Sequence, residues 1–525
     1  MMIHKVKSFG ITGIDGYIVD VEVDTSRGLP KYHLVGLPDA TVKESKERVE
    51  SAVRNSGLSF PAQKIVVNLA PADTKKEGAL YDLPIAVAIL LCANEIYHEE
   101  KVAEFAFVGE LGLDGEIRGV RGILPILISA QKAGVKKVII PNANAHEASF
   151  IHGISVFTAS SLREVVDALN GQGALEKVTK KDFANVQNDA KHHLDLKYVR
   201  GQFMAKRALE IAAAGGHNIL LIGPPGSGKT MLAKCFPTIL PDLSFGESIE
   251  VSKIHSIAGT LDSKKGIVVT RPFRTPHHTA SLVALAGGGK NSKPGEISLA
   301  HHGVLFLDEM PEYPRLLLEC LRQPIEDNSI TIARAHATID YPAAFTLIAS
   351  MNPCPCGNYG SRVQKCSCRP HQIHKYLAKL SGPLMDRIDL HIEVDNVTYD
   401  DLASTTTGEP SATVKTRVDK ARDVQLQRFQ NDTEATDTTK PKKPSPIFCN
   451  AKMTEVETKQ HCALDKESER VLREAFEKLS LSARAYTRIL RVARTIADME
   501  GEIDINADHI SEAVSYRSLD RKYKV

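Results

Sequence analysis

The first 168 residues combine apolar runs of strand type with longer segments of helical spacing. GYIVDVEVD (16–24) and KIVVNLAP (64–71) alternate or run continuously apolar, as strands do. LPDATVKESKERVESAVRNSG (37–57) has helical spacing and ends at a glycine, a common helix stop. A further helix followed by a strand is predicted in GILPILISAQKAGVKKVIIP (122–141). We therefore expect a mixed α+β domain over residues 1–168.

The pattern changes three times in the rest of the chain. Residues 169–195 are polar and weakly patterned, which predicts a linker. A second α/β domain is expected over 196–403, where several short apolar runs read as buried strands. Residues 404–464 are rich in Thr, Ser, Pro and charge and predict a flexible segment with one helix in VKTRVDKARDVQLQRF. Residues 465–525 predict a helical domain.

Length and composition agree with several domains in a soluble protein. The chain has 525 residues, more than one hydrophobic core normally serves. Its formal net charge is +2, so any contact with nucleic acid depends on a local patch. The start, MMIHKVK, carries charge from residue 4 onward and does not resemble a signal peptide. The longest apolar runs are too short to span a bilayer, so we expect a cytoplasmic protein without a membrane partner.

A phosphate-binding loop is predicted in NILLIGPPGSGKTMLAK, where an apolar strand runs into glycines and then a helix. Backbone N–H groups of such a loop surround a triphosphate, the lysine reaches its β- and γ-phosphates, and the following threonine binds Mg²⁺. A chance glycine-rich turn is the alternative, but the flanking strand and helix favour ATP. The predicted nucleotide ligands are Gly223, Pro224, Pro225, Gly226, Ser227, Gly228, Lys229 and Thr230.

Two later apolar runs end in polar residues suited to ATP hydrolysis. GVLFLDEMPEY predicts a buried strand that ends at Asp308 and Glu309. We expect Asp308 to hold Mg²⁺ with Thr230 and Glu309 to orient the attacking water. FTLIASMN predicts a strand that ends at Asn352, whose amide suits the γ-phosphate or the water. Spacing alone leaves an Asn that caps a turn as an equal alternative.

Four of the nine cysteines lie within CPCGNYGSRVQKCSC. In a reducing cytosol, two Cys-x-Cys pairs on a glycine-containing loop favour a tetrahedral zinc site. Four free thiols are the alternative, and the Cys-x-Cys spacing is tighter than the usual Cys-x2-Cys. His371 and His374 are reserve ligands or polar helix residues. The predicted structural Zn²⁺ ligands are Cys354, Cys356, Cys366 and Cys368.

These motifs together identify a family resemblance. GPPGSGKT, FRTPHHTAS, PGEISLAHHGVLFLDE, MNPCPCGNYG, LSGPLMDRIDLHIEV and LSARAYTRILRVARTIADM resemble the Mg-chelatase-like AAA+ ATPases, in a branch linked to bacterial competence. The resemblance covers nearly the whole chain. It implies an AAA+ P-loop α/β core with a C-terminal helical lid, assembled as a homo-hexameric ring.

The resemblance also implies roles for single residues. Lys229 and Thr230 correspond to the Walker A motif, Asp308 and Glu309 correspond to Walker B, and Asn352 corresponds to sensor 1. Arg387, in MDRID, resembles the arginine finger that one subunit supplies to the active site of its neighbour. An ordinary ion pair with Asp386 or Asp389 is the alternative for this arginine.

Sensor 2 is expected in LSARAYTRILR at the head of a lid helix. Arg484, Arg488 and Arg491 lie near one face of that helix. We assign sensor 2 to Arg484, with Arg488 as the alternative.

The N-terminal segment VGELGLDGEIRGVRGILPILISAQKAGVKKVIIP resembles the proteolytic domain of Lon proteases. That chemistry needs a serine nucleophile activated by a lysine. The corresponding positions hold Leu80 and Leu124, and Ser129 has no lysine partner at the family spacing. We therefore expect a Lon-protease-like α+β domain without peptidase activity, which binds DNA or a protein or shapes the ring.

A basic insertion precedes the Asp-Glu strand. Between residues 253 and 296 there are seven Lys or Arg and two acids, a local charge of +5. Such a segment suits a polyanion whose phosphates are contacted without base reading, although most charged runs are simply solvated. The candidate DNA contacts are Lys253, Lys264, Lys265, Lys290 and Lys293.

Three functions fit the sequence. The resemblance implies an ATP-driven DNA motor, a helicase or branch-migration enzyme that aids integration of incoming single strands during natural transformation and recombination. Its partners are then single-stranded or branched DNA, with recombination proteins as further candidates. A chelatase-type remodeller of a protein partner is the second, and an ATP-switched regulator without motor activity is the third.

Overall fold

The computed structural model describes residues 3–187, 194–289, 292–333, 338–360, 364–396, 408–436, 448–479 and 481–519. The chain forms two compact units, and each has its own hydrophobic core. The first unit comprises Met1–Ala190 with Ser244–Val269, and the second comprises Lys191–Leu243 with Thr270–Val525. Among the described helices, none has the length and apolar character needed to cross a bilayer.

The first unit is built on a mixed eight-stranded sheet. In spatial order its strands are Glu176–Lys177, Ser155–Ala159, Lys137–Pro141, Phe105–Phe107, His4–Thr12, Asp15–Ser26, Lys64–Ala70 and Lys31–Val35. A small ribbon pairs Glu110–Leu111 with Ile117–Arg118. The helices are Ala40–Lys43, Ser45–Asn55, Asp82–Cys92, Glu99–Ala103, Ile123–Lys132, Ala145–Ala148, Leu162–Leu169, Phe183–Gln187 and Phe245–Ala258, with 3₁₀ turns Ala79–Tyr81 and Asn142–Asn144.

The core of this unit follows from its most apolar helix. Asp82–Cys92, with the sequence DLPIAVAILLC, is buried nearly all round, as expected for a helix with no polar face. It packs against the strands His4–Thr12 and Asp15–Ser26. Leu80 and Leu124, which the sequence predicted at the positions of the Lon-type dyad, are 8% and 0% exposed. Both therefore contribute to the hydrophobic core.

The predicted linker 169–195 is wrong over most of its length. Glu176–Lys177 pairs with Ser155–Ala159 and forms an edge strand of the sheet, and the backbone N–H of Lys181 donates to the carbonyl of Ser149. The first unit therefore extends past residue 169. Residues 188–193 lie outside the described part of the chain.

The segment Ser244–Val269 also belongs to the first unit, whereas the sequence placed it in the AAA+ core of residues 196–403. Its helix Phe245–Ala258 packs on the helix Ile123–Lys132. The ring of Phe245 lies 5.5 Å from that of Phe183, and Ser256 Oγ donates to the buried Glu147 carboxylate. Apolar and polar contacts with residues distant in sequence account for this placement.

The second unit contains a parallel five-stranded sheet. Its strands, in spatial order, are Phe273–Arg274, Val304–Leu307, Thr346–Met351, Ile219–Ile222 and Leu390–Glu393. Hairpins pair Gly287–Gly288 with Lys293–Pro294 and Ser329–Ala333 with Thr338–Pro342. The helices are Phe203–Gly215, Lys229–Cys235, Leu282–Ala286, Glu296–Leu299, Arg315–Glu319, Arg322–Asp327, Pro370–Leu377, Gly382–Met385, Ser411–Thr436, Glu455–His461, Lys466–Leu479, Ala483–Glu500 and Ala507–Ser515, with 3₁₀ turns Leu196–Tyr198, Phe236–Ile239, Met310–Glu312 and Asn450–Lys452.

The central strands are continuously apolar, as expected for strands that are buried on both faces. Ile219–Ile222 and Val304–Leu307 are buried at every residue. Parallel strands end at the same edge of the sheet, so their carboxyl ends and the loops that follow are brought together there.

The predicted flexible segment 404–464 is largely ordered in its described part. Ser411–Thr436 extends the predicted helix at both ends and lies on Phe203–Gly215. Arg417 Nε donates to Glu210 Oε1 at 2.5 Å, and Arg422 Nη2 donates to the carbonyl of Ala213 at 2.8 Å. A second helix, Glu455–His461, follows. These contacts make the polar segment part of the second unit. Residues 397–407 and 437–447 lie outside the described part of the chain.

A buried polar network joins the sheet to the helix Ala483–Glu500. The carboxylate of Asp389 accepts from the backbone N–H of Asn218 at 2.8 Å and from Arg488 Nη1 at 2.7 Å. His217 is fully buried, with Nε2 2.8 Å from Thr495 Oγ1. Burial lowers the pKa of His217 to about 4, although the nearby Asp389 opposes this shift.

The buried histidine predicts a loss of stability in acid. The folded-state pKa lies below the ordinary 6.5, so the unfolded chain binds the proton more tightly. Stability is full above pH 6.5 and falls as the pH decreases toward 4. Between pH 7 and pH 5 we expect His217 to account for a loss of about 2 kcal/mol.

Denaturant unfolding at both pH values, comparing wild type with His217→Gln, measures this loss. The exposed His371 offers a matched control in His371→Gln, which should keep the wild-type dependence. An unchanged pH dependence in His217→Gln would show that another group is responsible.

Candidate functional site

The predicted phosphate loop connects the strand Ile219–Ile222 to the helix Lys229–Cys235. Gly226 and Gly228 have φ values of 77° and 91°, the left-handed conformation that glycine adopts without steric cost. Lys229 Nζ donates to the carbonyl of Gly223 at 2.8 Å and to that of Pro224 at 2.7 Å. The loop thus curls around the ammonium group of its own lysine.

The ammonium group of Lys229 is partly buried and therefore partly desolvated. Burial lowers the pKa of its ammonium group, and the carboxylates of Asp308 and Glu309 oppose that shift. The ammonium group makes stronger hydrogen bonds to negatively charged phosphate oxygens than to the neutral carbonyl oxygens that they would replace. The loop therefore fits a phosphate group.

The Asp-Glu pair lies beside this loop. Thr230 Oγ1 donates to Asp308 Oδ2 at 2.9 Å, and Ser350 Oγ donates to the other oxygen of the same carboxylate. The backbone N–H of Glu309 donates to Ser350 Oγ at 3.1 Å. A hydroxyl and a carboxylate in contact form a hard oxygen donor set, which suits Mg²⁺.

Glu309 has an uncommon backbone conformation. Its φ is 53°, in the left-handed region that costs energy for a residue with a Cβ. The residue is exposed, while the strand before it and Met310 after it are buried. The turn therefore projects the carboxylate away from the core, as a group that acts on water requires.

Asn352 completes the arrangement at the end of the adjacent strand. Its Oδ1 accepts from Lys229 Nζ at 3.3 Å. The structure thus brings together the ends of three neighbouring strands, with Lys229, Asp308 and Asn352 on one edge of the sheet.

Two contributors to this site escaped the sequence analysis. Ser350 is two residues before Asn352, and alternate residues of a strand point to the same face. This spacing could have identified Ser350 from the sequence. Gln202 Nε2 donates to the carbonyl of Ser227 at 3.3 Å and to that of Asp395 at 2.6 Å. Gln202 carried no sequence signal because both of its partners are backbone carbonyls.

Arg387 lies away from solvent and has an acidic partner in its own chain. Its Nη2 is 2.7 Å from Glu326 Oε1, and Nη1 donates to the carbonyl of Pro383 at 2.7 Å. The side chain is 5% exposed, and its buried Nε has no hydrogen-bond partner among the residues that the structure describes. The alternative predicted for Arg387, an ordinary ion pair with Asp386 or Asp389, is therefore wrong: its acidic partner is Glu326.

The two sensor 2 candidates have different surroundings. The Arg484 side chain is 58% exposed, with Nε 3.9 Å from Glu326 Oε1. Arg488 is 13% exposed and bound to the buried Asp389. Glu326 thus faces two of the predicted catalytic arginines. Burial raises its pKa, but the charge and hydrogen bond of Arg387 outweigh burial, and the net shift is downward.

The four clustered cysteines converge on one point. The Sγ of Cys354 is 3.4 Å from that of Cys356 and 3.7 Å from that of Cys366, and the latter two are 3.6 Å apart. All four sulfurs, including Cys368, lie within 4.8 Å of one another. Sulfurs bound tetrahedrally to zinc are about 3.8 Å apart, since each Zn–S bond is about 2.3 Å. The thiols therefore fit zinc.

The thiols of the cluster differ in acidity. Hydrogen bonds from backbone groups of Asn358 and Ser367 lower the pKa of Cys356 to about 5, which favours the thiolate that a metal needs, whereas burial raises the pKa of Cys354 to about 12 and also raises that of Cys368. His371 and His374 are exposed and lie outside the group of converging donor atoms.

The candidate DNA contacts fall into three classes. Lys253 is buried with its Nζ 2.7 Å from Asp15 Oδ1, which removes it from the candidates. Lys264, Lys265 and Lys293 are exposed. Lys290 lies outside the described residues. Lys264 and Lys265 belong to the first unit and Lys293 to the second.

Comparison with known proteins places this site in a family. The model for magnesium chelatase, subunit ChlI, matches residues 195–402. The model for subunit ChlI of Mg-chelatase matches residues 21–144, and that for the ChlI C-terminal region matches residues 408–517. Nearly the whole chain is thereby assigned to ChlI-type domains.

Two similar proteins match over nearly their full length, and a third matches only the N-terminal part of this chain. Competence protein ComM of Haemophilus influenzae is 44% identical over 524 residues, which cover 99% of this chain and 98% of ComM. The YifB protein of Escherichia coli is 45% identical over 522 residues, with the same coverage. Lon protease 2 of Syntrophobacter fumaroxidans is 29% identical over 163 residues, which are 29% of this chain and 20% of the protease.

These findings confirm the fold class expected from the sequence: a ChlI- and Lon-like N-terminal domain, a central AAA+ P-loop domain and a C-terminal helical region. They also imply ATP hydrolysis with Mg²⁺. The chain belongs to the Mg-chelatase ChlI family of AAA+ ATPases and is a full-length homologue of ComM and YifB.

Proposed function

We propose that this protein is an ATP-driven DNA motor, a hexameric helicase or branch-migration enzyme. Its role is to help integrate incoming single-stranded DNA during natural transformation and recombination. The similarity to a relative named for competence supports this role. Single-stranded or branched DNA is the proposed substrate, and recombination proteins are the proposed partners.

The observation that carries the proposal is the connected set of groups at the edge of the parallel sheet. Lys229 contacts Asn352, and Thr230 contacts Asp308. In this assignment Lys229 binds the β- and γ-phosphates, Thr230 and Asp308 hold Mg²⁺, and Glu309 orients water. The metal, when bound, supplies positive charge to the phosphates.

Arginines complete the proposed catalytic set. We assign Arg387 as the finger that acts on the neighbouring subunit, and Arg484 as sensor 2 because it is the more exposed of the two candidates. Arg488 remains the alternative, but its ion pair with the fully buried Asp389 fits a structural role. Because a finger is supplied by a neighbouring subunit, the proposed active form is a ring and not a single subunit.

We further assign a structural Zn²⁺ to Cys354, Cys356, Cys366 and Cys368. For DNA, the exposed Lys264, Lys265 and Lys293 offer sequence-independent contacts to phosphates.

A second candidate is favoured by the family models, which are named for a magnesium chelatase subunit. In that case the ATPase remodels a protein partner during metal insertion, and porphyrin rather than DNA stimulates ATP hydrolysis. An ATP-switched regulator would respond to a partner without displacing strands.

Unwinding of a synthetic four-way DNA junction with ATP tests the motor directly. Lys229→Ala removes the ammonium group from the phosphate loop and is expected to abolish unwinding. Lys234 lies on the same helix, Lys229–Cys235, and is exposed, so Lys234→Ala is the matched control and should unwind like wild type. Equal unwinding by Lys229→Ala and wild type would overturn the motor proposal. ATPase activity that responds to porphyrin but not DNA would support the second candidate.

A further inference from the structure

The cysteine cluster and the phosphate loop are in contact. Gly357 lies between the two cysteine pairs and has a φ of 82°. A Cβ at this position would lie 2.3 Å from Pro225 Cδ and 2.9 Å from Pro225 Cγ. Contacts below 3 Å are not tolerated between packed carbon atoms, so only glycine lets the two loops approach this closely.

The cluster fixes where Gly357 lies. The backbone N–H of Gly357 donates to the carbonyl of Cys354 at 2.9 Å, and Cys356 is its immediate neighbour. The backbone N–H of Tyr359 donates to Cys354 Sγ at 3.3 Å. The turn that presents Gly357 to Pro225 is therefore built around the first cysteine pair, and its shape depends on where those two sulfurs are held.

A second connection runs through Asn352. This residue precedes Cys354 by two positions, and its Oδ1 accepts from Lys229 Nζ at 3.3 Å. The segment 352–357 thus contacts the phosphate loop at both ends, at Lys229 and at Pro225.

We propose that the tetrathiolate cluster is a positioning element of the nucleotide site, so that zinc binding and nucleotide binding favour each other. With the four sulfurs held by one metal, Asn352 and Gly357 are fixed against the phosphate loop. Without the metal, the four thiols have no common centre, and the loop loses both supports. This inference rests on the proposed zinc and nucleotide sites and is independent of DNA.

Coupling between two ligands is reciprocal. If removal of zinc weakens nucleotide binding by a given factor, saturation with nucleotide must strengthen zinc binding by the same factor. We expect about tenfold, within the usual range for coupled sites in one domain.

Two titrations of the full chain measure the factor independently. A fluorescent, non-hydrolysable ATP analogue is titrated into zinc-loaded and chelator-stripped protein. Zinc affinity is then measured by competition with a chromophoric chelator, with and without the analogue. We expect one zinc per chain and equal coupling factors in both directions. Equal nucleotide affinity in loaded and stripped protein, or absence of zinc binding, would overturn the proposal.

A glycine variant separates this coupling from any unfolding caused by zinc removal. Gly357→Ala should retain one zinc per chain but bind nucleotide about tenfold more weakly, since the methyl group displaces Pro225. Gly501→Ala is the matched control: Gly501 has a φ of 78°, and in the described part of the chain no heavy atom lies within 4 Å of the added methyl group. If both zinc-loaded variants bind nucleotide equally well, the contact does not position the loop. Neither measurement uses DNA, so failure of the motor proposal would leave these results unaffected.

Discussion

Glu309→Gln is expected to lower the rate of ATP hydrolysis about 10²–10⁴-fold, the range for loss of a general base, while nucleotide binding is retained. Glu309 is exposed at the end of a buried strand, and its backbone N–H is anchored on Ser350 Oγ at 3.1 Å. Glutamine keeps the size and the anchor but cannot accept a proton from water. Phosphate release under saturating ATP gives the rate, and a fluorescent ATP analogue gives the affinity.

Glu312→Gln serves as the control for this prediction. Glu312 lies in the turn Met310–Glu312, which directly follows Glu309, and is exposed with its carboxylate 3.4 Å from Lys379 Nζ. The Glu312→Gln variant should hydrolyse ATP at the wild-type rate. If Glu309→Gln also hydrolyses at the wild-type rate, another group activates the water, and the assignment of Glu309 fails.

The nucleotide site was predictable because its residues lie at or just after the ends of strands. Each strand was visible as an apolar run, and parallel strands bring their carboxyl ends to one edge. Lys229, Asp308 and Asn352 are close in space for that reason, although 123 positions separate the first from the last. The cysteine cluster was predictable in a similar way, because four thiols in a short segment have few ways to converge.

The segment 244–269 shows what sequence cannot supply. Its helix is long and well capped, with a capping box between Ser244 and Glu247, so the helix itself is encoded locally. Which unit it joins depends on Phe183, Asp15 and Glu147, which lie far away in the sequence. Lys253 appeared to be a surface cation for the same reason, since its partner Asp15 lies 238 positions away.

The partner of Arg387 was also beyond sequence reasoning. Local charges suggested Asp386 or Asp389, but Asp389 accepts from Arg488, and Arg387 pairs with Glu326. Side chains next to each other in a turn point in different directions, so closeness in the sequence does not make a pair. Tertiary packing instead brings Glu326, in the helix Arg322–Asp327, to the guanidinium group of Arg387.

Arg387→Ala is expected to reduce ATP hydrolysis about 10³–10⁵-fold while nucleotide affinity stays near the wild-type value, because a finger stabilises charge that develops only in the transition state. In its own chain Arg387 is held by Glu326 at 2.7 Å and is 5% exposed. In the part of the chain that the structure describes, its hydrogen bonds and ion pair do not reach Lys229, Asp308 or Asn352, so the proposed finger would act on the active site of an adjacent subunit. Arg322→Ala, which removes a half-buried arginine paired with Glu319, is the control and should leave the rate unchanged.

Mixing two inactive variants tests whether the arginine acts on a neighbouring subunit. Arg387→Ala subunits keep the phosphate loop, and Lys229→Ala subunits keep the finger. In a head-to-tail ring, random mixing places an intact loop beside an intact arginine at about a quarter of the interfaces. ATP hydrolysis should therefore reappear in the mixture, although each variant alone is inactive. A mixture without activity would mean that Arg387 serves its own chain, and its ion pair with Glu326 would then be a structural contact of the folded subunit.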